Sequence, residues 1–355
     1  MHAAQPPRAL TDFTAEELRA LMAAERQPTY RTNQVFSWVQ KQGARTYDEM
    51  SNVPKALREA LAAKAPVRTT TVAHEEPSAD GTTKLLLRLH DGEHVECVLI
   101  PEGERATACL STQVGCGVGC VFCASGAEGV VRNLSAGEIV EQALELNRMA
   151  GQRLTNIVVM GMGEPLHNLD ALERALRILQ DPEGLDFGAR RITVSTSGPV
   201  KAFEDFLTRG LKVKLAISLH AAFDGLRKEL VPRGGTGDIH FLESMSRRWF
   251  EKTGRDVTFE YVLLDNINDS DEDMRALAKL AGRHVNVNLI PMNPVPFAPK
   301  LKAPPNARIE RCVSLLEEEG VVVHCRRQRG DDVAAACGQL RRFHEKLEDG
   351  QETAP

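Results

Sequence analysis

Cys116-Gly117-Val118-Gly119-Cys120-Val121-Phe122-Cys123 is the stretch from which the rest of the chain is best read. With eight cysteines in 355 residues, this spacing arises by chance with a probability of roughly 0.004 on composition alone. Glycines 115, 117 and 119 let the loop wrap closely and turn backbone N–H groups inward. Thiolates so spaced can converge on one metal centre. A closed structural zinc site needs four ligands, usually as two pairs. Here three cysteines stand together and no obvious fourth partner follows nearby. Three thiolates on a four-iron centre leave one iron open to bind a cofactor and pass it an electron.

Outward from this loop, one order of elements repeats. Apolar runs at 106–112, 156–160, 192–195, 214–218, 259–264 and 287–290 read as strands. Helical patterns fall between them at 136–150, 169–180, 200–209, 223–230 with 240–252, and 271–283. Six strands alternating with helices imply a parallel sheet, which right-handed crossovers curl into a doubly wound sheet or a partial barrel. The strand ends favour the barrel. They carry Gly161-Met162-Gly163-Glu164-Pro165, Ser195-Thr196-Ser197-Gly198, Ser218-Leu219-His220 and Pro291-Met292-Asn293-Pro294. Loop closure accounts for the glycines and prolines. It does not account for Glu164, Ser218, His220 and Asn293 at equivalent places, which is how a barrel builds a site.

Before the first of these strands, 84–90 and 94–100 flank Asp91-Gly92, which predicts a hairpin with a type I′ turn. From 11 to 64 the pattern is helical. Thr14 and Glu17 form a capping box before Leu18, Leu21 and Met22; Val35, Trp38 and Val39 mark a second helix; Pro54 opens a third with Leu57 and Leu61. Residues 1–70 hold ten Lys/Arg against seven Asp/Glu. That fits a solvated helical module or a docking surface for RNA, and charge alone favours the solvated module. The whole chain has a net charge of −5, so bulk charge gives no support for nucleic-acid binding. No apolar stretch is long enough for a membrane span, and the start lacks a signal-peptide pattern. A cytoplasmic protein is expected, and in that reducing compartment a disulfide framework is not.

With these segments the chain resembles the radical S-adenosylmethionine enzymes, whose Cys-x3-Cys-x2-Cys motif lies on the loop after the first barrel strand. Phe122 matches the aromatic usual before the last cysteine, and 161–165 resembles the segment that holds the methionine amino group. The stretches 109–116, 161–166, 194–198, 217–221 and 329–340 are together similar to the RlmN/Cfr family of RNA adenine methyltransferases. Arg31, Gln34, Trp38 and Asp48-Glu49-Met50 resemble its N-terminal helical module, so the likeness runs from about Leu10 to Leu340. It implies an α/β fold, a partial (β/α)6 radical-SAM barrel with a small N-terminal helical domain and a β-hairpin extension. The expected division is 1–70 helical and RNA-docking, 71–104 hairpin extension, 105–345 radical SAM core with the catalytic segment, and 346–355 disordered tail.

The same resemblance implies roles. Cys116, Cys120 and Cys123 hold a [4Fe-4S] cluster. Gly163, Glu164, Ser195, Ser218, Leu219, His220 and Asn293 bind S-adenosylmethionine, two molecules per turnover. Cys337 takes a methyl group from the first molecule; the second yields a 5′-deoxyadenosyl radical that removes hydrogen from that methyl. The methylene then joins C2 of adenine and tethers RNA to protein. Glu96 takes the C2 proton, and a transient disulfide of Cys109 with Cys337 releases the product. Read from the residues alone, Arg326, Arg327, Arg329, Arg341 and Arg342, which flank Cys337, are either a solvated charge run or phosphate contacts beside the reactive cysteine. Cys97, Cys312 and Cys325 are expected to be core cysteines. The glycine-rich run 231–237 departs from the family pattern and is expected to touch no residue with a chemical role. The implied partners are 23S rRNA, at an adenine of the peptidyl-transferase centre, tRNA, and a flavodoxin-like electron donor; a monomer away from membranes is expected. A Cfr-type C8 methyltransferase with the same residues, and a zinc-stapled RNA-binding module, are the alternatives.

Overall fold

In the computed structural model the described residues are 6–326, 330 and 333–341. The expected tail at 346–355 lies outside them, as do residues 1–5 of the chain start.

Three helices open the chain: α1 (Ala15–Ala24), α2 (Thr29–Gln40) and α3 (Lys55–Ala62). The Thr14 side chain accepts from Glu17 N, and Glu17 returns the contact, so the predicted capping box forms. Pro54 is the N-cap residue of α3. Leu18, Met22, Val35, Phe36, Val39, Met50, Leu57 and Leu61 make a separate small core for this module.

The strands follow: β1 (Thr71–Pro77), β2 (Thr83–Arg88), β3 (His94–Glu102), β4 (Arg105–Cys109), β5 (Gln113–Gly115) and β6 (Val130–Asn133). Then come α4 (Ala136–Met149), β7 (Asn156–Val159), α5 (Leu169–Leu179), β8 (Ile192–Thr196), α6 (Val200–Arg209), β9 (Lys214–Ser218), α7 (Asp224–Leu230), α8 (Ile239–Thr253), β10 (Val257–Leu263), α9 (Asp271–Ala281), β11 (Val285–Pro291), α10 (Asn306–Glu318) and β12 (Val323–Cys325). Ten strands form one sheet in the order β1-β2-β3-β4-β7-β8-β9-β10-β11-β12. From β4 to β12 every pairing is parallel, and β1 to β4 are antiparallel. The six predicted parallel strands are all present. Among the described residues the sheet stays open, since no pairing joins β1 to β12. The hairpin is continuous with the barrel sheet, because β3 pairs with β4.

One turn differs from expectation. Gly92 N donates to Leu89 O and Leu89 N to Glu93 O, while Gly92 has φ +86° and neither His90 nor Asp91 has positive φ. This is a three-residue loop, a type I turn closed by a glycine bulge, rather than the type I′ turn that Asp-Gly suggested.

α4 joins the helical module to the sheet through carboxylates. Glu141 is fully buried and accepts from Thr11 Oγ1 at 2.6 Å and Thr70 N at 2.8 Å. Glu145 pairs with both Arg45 and Arg68. The Arg68 and Glu145 side chains are 3% and 4% exposed, whereas Arg45 is 36% exposed. Removing one partner of a buried pair strands the other charge at a cost of about 3–5 kcal/mol. Arg68→Ala is therefore expected to lower the unfolding free energy by about that amount, and Arg45→Ala by much less. Urea titration of both variants checks this; equal losses would show that burial does not set the weight of the pair.

Candidate active site

β5 and β6 form a hairpin whose loop carries all three clustered cysteines. Gly115 N-terminally closes it: its φ is +76°, and a Cβ there would stand 2.1 Å from Gly129 O. No other residue fits that neck. Inside the loop, Val118 and Phe122 pack against Leu230, Val231, Ile290 and Met292, and the Phe122 ring meets His220 edge-on at 4.7 Å. A Cβ on Gly119 would lie 2.3 Å from the Arg233 guanidinium. Cys116, Cys120 and Cys123 all line one cavity of about 910 Å³, its mouth included. Among the described residues no three His, Cys, Asp or Glu form a ready-made site for a single ion. Burial pushes the Cys116 thiol up to about 12; a cationic centre has to supply the charge that turns such a thiol into a ligand. A glycine-tight loop with three soft donors around one cavity fits an iron–sulfur cluster. Cys120→Ala is expected to lose most bound iron and sulfide on anaerobic purification, with an unchanged far-ultraviolet spectrum. Wild-type iron content in that variant would remove Cys120 from the ligand set.

The polar strand ends converge on the same cavity. Gly163, Glu164, Ser195, Ser218, His220 and Asn293 all line it, and Leu219, which does not, is buried beside them. The Glu164 carboxylate already accepts from Leu166 N at 3.0 Å, Thr196 Oγ1 at 2.6 Å, Ser197 N at 2.8 Å and Ser197 Oγ at 2.9 Å. Four contacts fill the lone pairs of a carboxylate, so its first task is to tie the loops after β7 and β8 together. Ser195 and Ser218 share a hydroxyl contact at 3.3 Å. Asn293 Nδ2 donates to Cys337 O at 2.8 Å, and its buried Oδ1 has no partner. That orphan acceptor in a cavity is what a ligand donor satisfies. His220 has φ +63°, accepts from Val262 N at 3.1 Å, and is pushed down to about 3, chiefly by burial. It is neutral, and its own carbonyl is taken by Asn268 Nδ2.

Cys337 lies on the wall that this cavity shares with a second one of about 1930 Å³. Its segment is sewn to the cysteine loop: Ala124 N donates to Gly338 O at 2.7 Å and Ser125 Oγ to Leu340 O at 2.6 Å. Gln339 Nε2 donates to Pro294 O at 3.1 Å. Cys109, at the end of β4, lines the second cavity with Cys337, and both are free thiols. Burial pushes the Cys109 thiol up to about 12.

Arg326 corrects one expectation. It turns inward: Nη1 lies 3.4 Å from Cys337 Sγ, and Nη2 lies 3.3 Å from Glu260 Oε1. Buried Glu260 is held in turn by Asn288 Nδ2 at 2.7 Å. This is a bridge across the cavity, not a phosphate contact. Arg341 donates its backbone N–H to Glu96 Oε2 at 2.8 Å; Arg327, Arg329 and Arg342 lie outside the described residues. Glu96 itself is fully buried on β3, with Lys84 Nζ 3.2 Å from Oε1, and burial raises its carboxyl. It lines neither cavity and reaches the Cys337 segment through Arg341. Cys97 and Cys312 are buried as expected, but Cys325 is exposed, on β12 at the second cavity. The run 231–237 is tied to the cysteine loop and to α7. Arg233 N donates to Val118 O at 3.1 Å, between two of the cysteines, and Gly237 O accepts from Arg227. Arg227 and Glu260 are additions that the sequence reading lacked. A carboxylate inside the apolar run Phe259-Glu260-Tyr261-Val262 was the signal available for the second.

Residues 110–323 match the model of the radical SAM superfamily, and residues 9–67 match that of the ribosomal RNA large subunit methyltransferase N-terminal domain. A probable dual-specificity RNA methyltransferase RlmN of Symbiobacterium thermophilum is 43% identical over 336 residues, 94% of this chain and 91% of that one. The dual-specificity RNA methyltransferase RlmN of Syntrophotalea carbinolica is 42% identical over 334 residues, 94% of this chain and 89% of that one. The crystal structure of a radical SAM methyltransferase from Sphaerobacter thermophilus is 48% identical and superimposes with a TM-score of 0.90, over 94% of this chain and 99% of that one.

Proposed function

The chain belongs to the RlmN family of radical S-adenosylmethionine RNA methyltransferases, and we propose that it methylates C2 of an adenine in 23S rRNA and of an adenine in tRNA. The observation that carries this reading is the pair Cys337 and Cys109 on one cavity wall, next to a chamber lined by three further thiols.

The target carbon is electron-poor, so direct transfer of a methyl cation to it is slow. When bound, the cluster and S-adenosylmethionine supply the electron and the hydrogen-abstracting radical that overcome this. The chain does the rest. Cys116, Cys120 and Cys123 hold the cluster, and the strand ends from Gly163 to Asn293 seat the cofactor, Asn293 through its orphan Oδ1. Cys337 carries the methyl on sulfur, which stabilises an adjacent carbon radical better than oxygen. Glu96, with its raised carboxyl, takes the C2 proton, provided that the segment it touches at Arg341 moves when RNA enters, and the unpaired electron of the adduct would pass back to the bound cluster, leaving a closed-shell thioether between Cys337 and the base. Cys109 then attacks the Cys337 sulfur. The sulfur–carbon bond breaks, its electron pair goes to the methylene carbon, and protonation there completes the methyl group. Two cofactor molecules are consumed per turnover, one for the methyl and one for the radical. The enzyme works as a cytoplasmic monomer fed by a flavodoxin-like donor; no helix among the described residues is long and apolar enough to cross a membrane. The target base has to leave its stack to reach Cys337.

Expression in a host lacking both modifications, followed by mass spectrometry of nucleosides from 23S rRNA and tRNA, tests the reading. 2-Methyladenosine in both is expected. 8-Methyladenosine would replace the assignment with C8, and zinc without sulfide in anaerobically purified protein would replace it with an RNA-binding module.

A further inference from the structure

Arg227, on α7, is a buried cation with no anion in contact with it. It is 3% exposed. Its Nη1 donates to Gly237 O at 3.0 Å and Thr236 Oγ1 at 3.4 Å; its Nη2 donates to Ser197 O at 2.8 Å and Ser218 O at 3.4 Å. All four acceptors are neutral. Its Nε–H is buried and has no partner. Among the described residues it makes no ion pair, and the acidic side chains nearby, Asp224 and Asp238, attract it without touching it. Asp224 Oδ1 accepts from Ile239 N at 2.9 Å, and Asp238 Oδ1 from Phe241 N at 2.7 Å, both at the start of α8. Burial depresses the guanidinium to about 10, against attraction from Cys120 first and then Asp224 and Asp238; it is charged at neutral pH. Holding such a charge out of water is costly unless an anion offsets it.

The anion has a place to be. α7 and the run after it are stitched to the cysteine loop. Val121 N donates to Leu230 O at 3.1 Å, one turn beyond Arg227, and Arg233 N to Val118 O at 3.1 Å. Ser197 and Ser218, whose carbonyls hold the guanidinium, line the same cavity as the three thiols. We propose that Arg227 is the buried counter-charge of the iron–sulfur cluster, a positioning residue that raises its reduction potential and so lets it take up an electron. This rests on the reading that Cys116, Cys120 and Cys123 hold that cluster. A four-iron, four-sulfide core on three thiolates is anionic, and it gains one more negative charge on reduction. A fixed cation in a low-dielectric wall favours the reduced form more than the oxidised one. The redox step is a one-electron uptake by the cluster from an external reductant, dithionite in the assay, and Arg227 itself neither gains nor loses a proton. The carboxylate of S-adenosylmethionine is the other anion able to meet this guanidinium, so the assay separates the two.

The experiment is an anaerobic redox titration of the reconstituted full-length protein, read by electron paramagnetic resonance, first without S-adenosylmethionine. Iron and sulfide are measured beforehand; a wild-type protein that binds neither refutes the cluster reading itself. R227Q is expected to hold wild-type iron and sulfide, yet to show a reduced-to-oxidised ratio at least tenfold lower at the same ambient potential, a 59 mV shift for one electron. R227K is expected to stay within threefold of wild type. An unchanged midpoint in R227Q overturns the proposal, and a loss of cofactor binding alone would reassign Arg227 to the cofactor carboxylate. If R227Q fails to load, R227K decides. Lysine keeps the charge but not the fork that satisfies four acceptors. A purely structural guanidinium predicts that R227K fails as well, which overturns the proposal; a loaded R227K with near-wild-type potential supports it.

Discussion

Cys109→Ala is expected to arrive from the cell with RNA attached to Cys337 through a bond that survives denaturation. Cys109 lines the cavity that holds Cys337 and lies outside the three-cysteine loop. Its loss therefore leaves the chemistry that builds the tether intact and removes the group that cuts it. Its thiol is buried and, for that reason, pushed up to about 12. Only a thiolate attacks sulfur, so release in the wild type should speed up as pH rises through the neutral range, while tether formation need not. Alanine offers no nucleophile at any pH. Turnover should drop by two orders of magnitude or more, as when one member of a covalent relay is removed. Denaturing gel analysis with and without nuclease, plus peptide mass spectrometry of the segment holding Cys337, reads the outcome. Free methylated product at the wild-type rate, with no adduct, would take Cys109 out of the mechanism.

What could be read from the chain alone was what is written locally. The cysteine spacing, the capping box of Thr14 with Glu17, and the six strands of the βα alternation each depend on neighbours within a few residues, and all appear in the structure. β1 was invisible because Thr71–Pro77 is mostly exposed and has no alternating apolar face. β12 has only three residues. α10 was open to reading, since Ile309, Cys312, Val313 and Leu316 have helical spacing. Charges were the least legible, because a sequence shows their sign but not where they point. Arg326 looks like one of a basic run until Glu260, 66 residues earlier, is seen beside it. Arg45 and Arg68 raise the formal charge of the N-terminal module, yet both are spent on Glu145 of α4. Asp12 and Glu17 of the same module are likewise spent on Arg174 of α5, so the surplus of basic residues in 1–70 stays the same while its placement changes. Glu141 and Glu145 read as the polar face of α4, and it is the helical module docking on them that buries them.

Cys337→Ser should abolish product while leaving the fold and the cluster in place. The segment is held by its backbone: Asn293 Nδ2 grips the residue 337 carbonyl, and Ala124 N grips that of Gly338. Neither contact involves the sulfur. Arg326 can donate to a serine hydroxyl as it does to Sγ. What changes is the chemistry of one atom. A hydroxyl is a poor acceptor of a methyl cation at neutral pH, and oxygen stabilises a neighbouring carbon radical less than sulfur. The variant should therefore bind wild-type iron, cleave S-adenosylmethionine slowly without coupling to RNA, and show no added methyl at position 337. In the Cys109→Ala background it should erase the RNA adduct, because the tether is gone. RNA binding should survive and weaken with salt, as contacts to phosphate do. Peptide mass spectrometry after incubation of reduced, cluster-loaded wild type with S-adenosylmethionine is the direct check. A wild-type segment that stays unmethylated under those conditions would remove Cys337 as the carrier, and a double variant that still carried RNA would move the attachment to another residue.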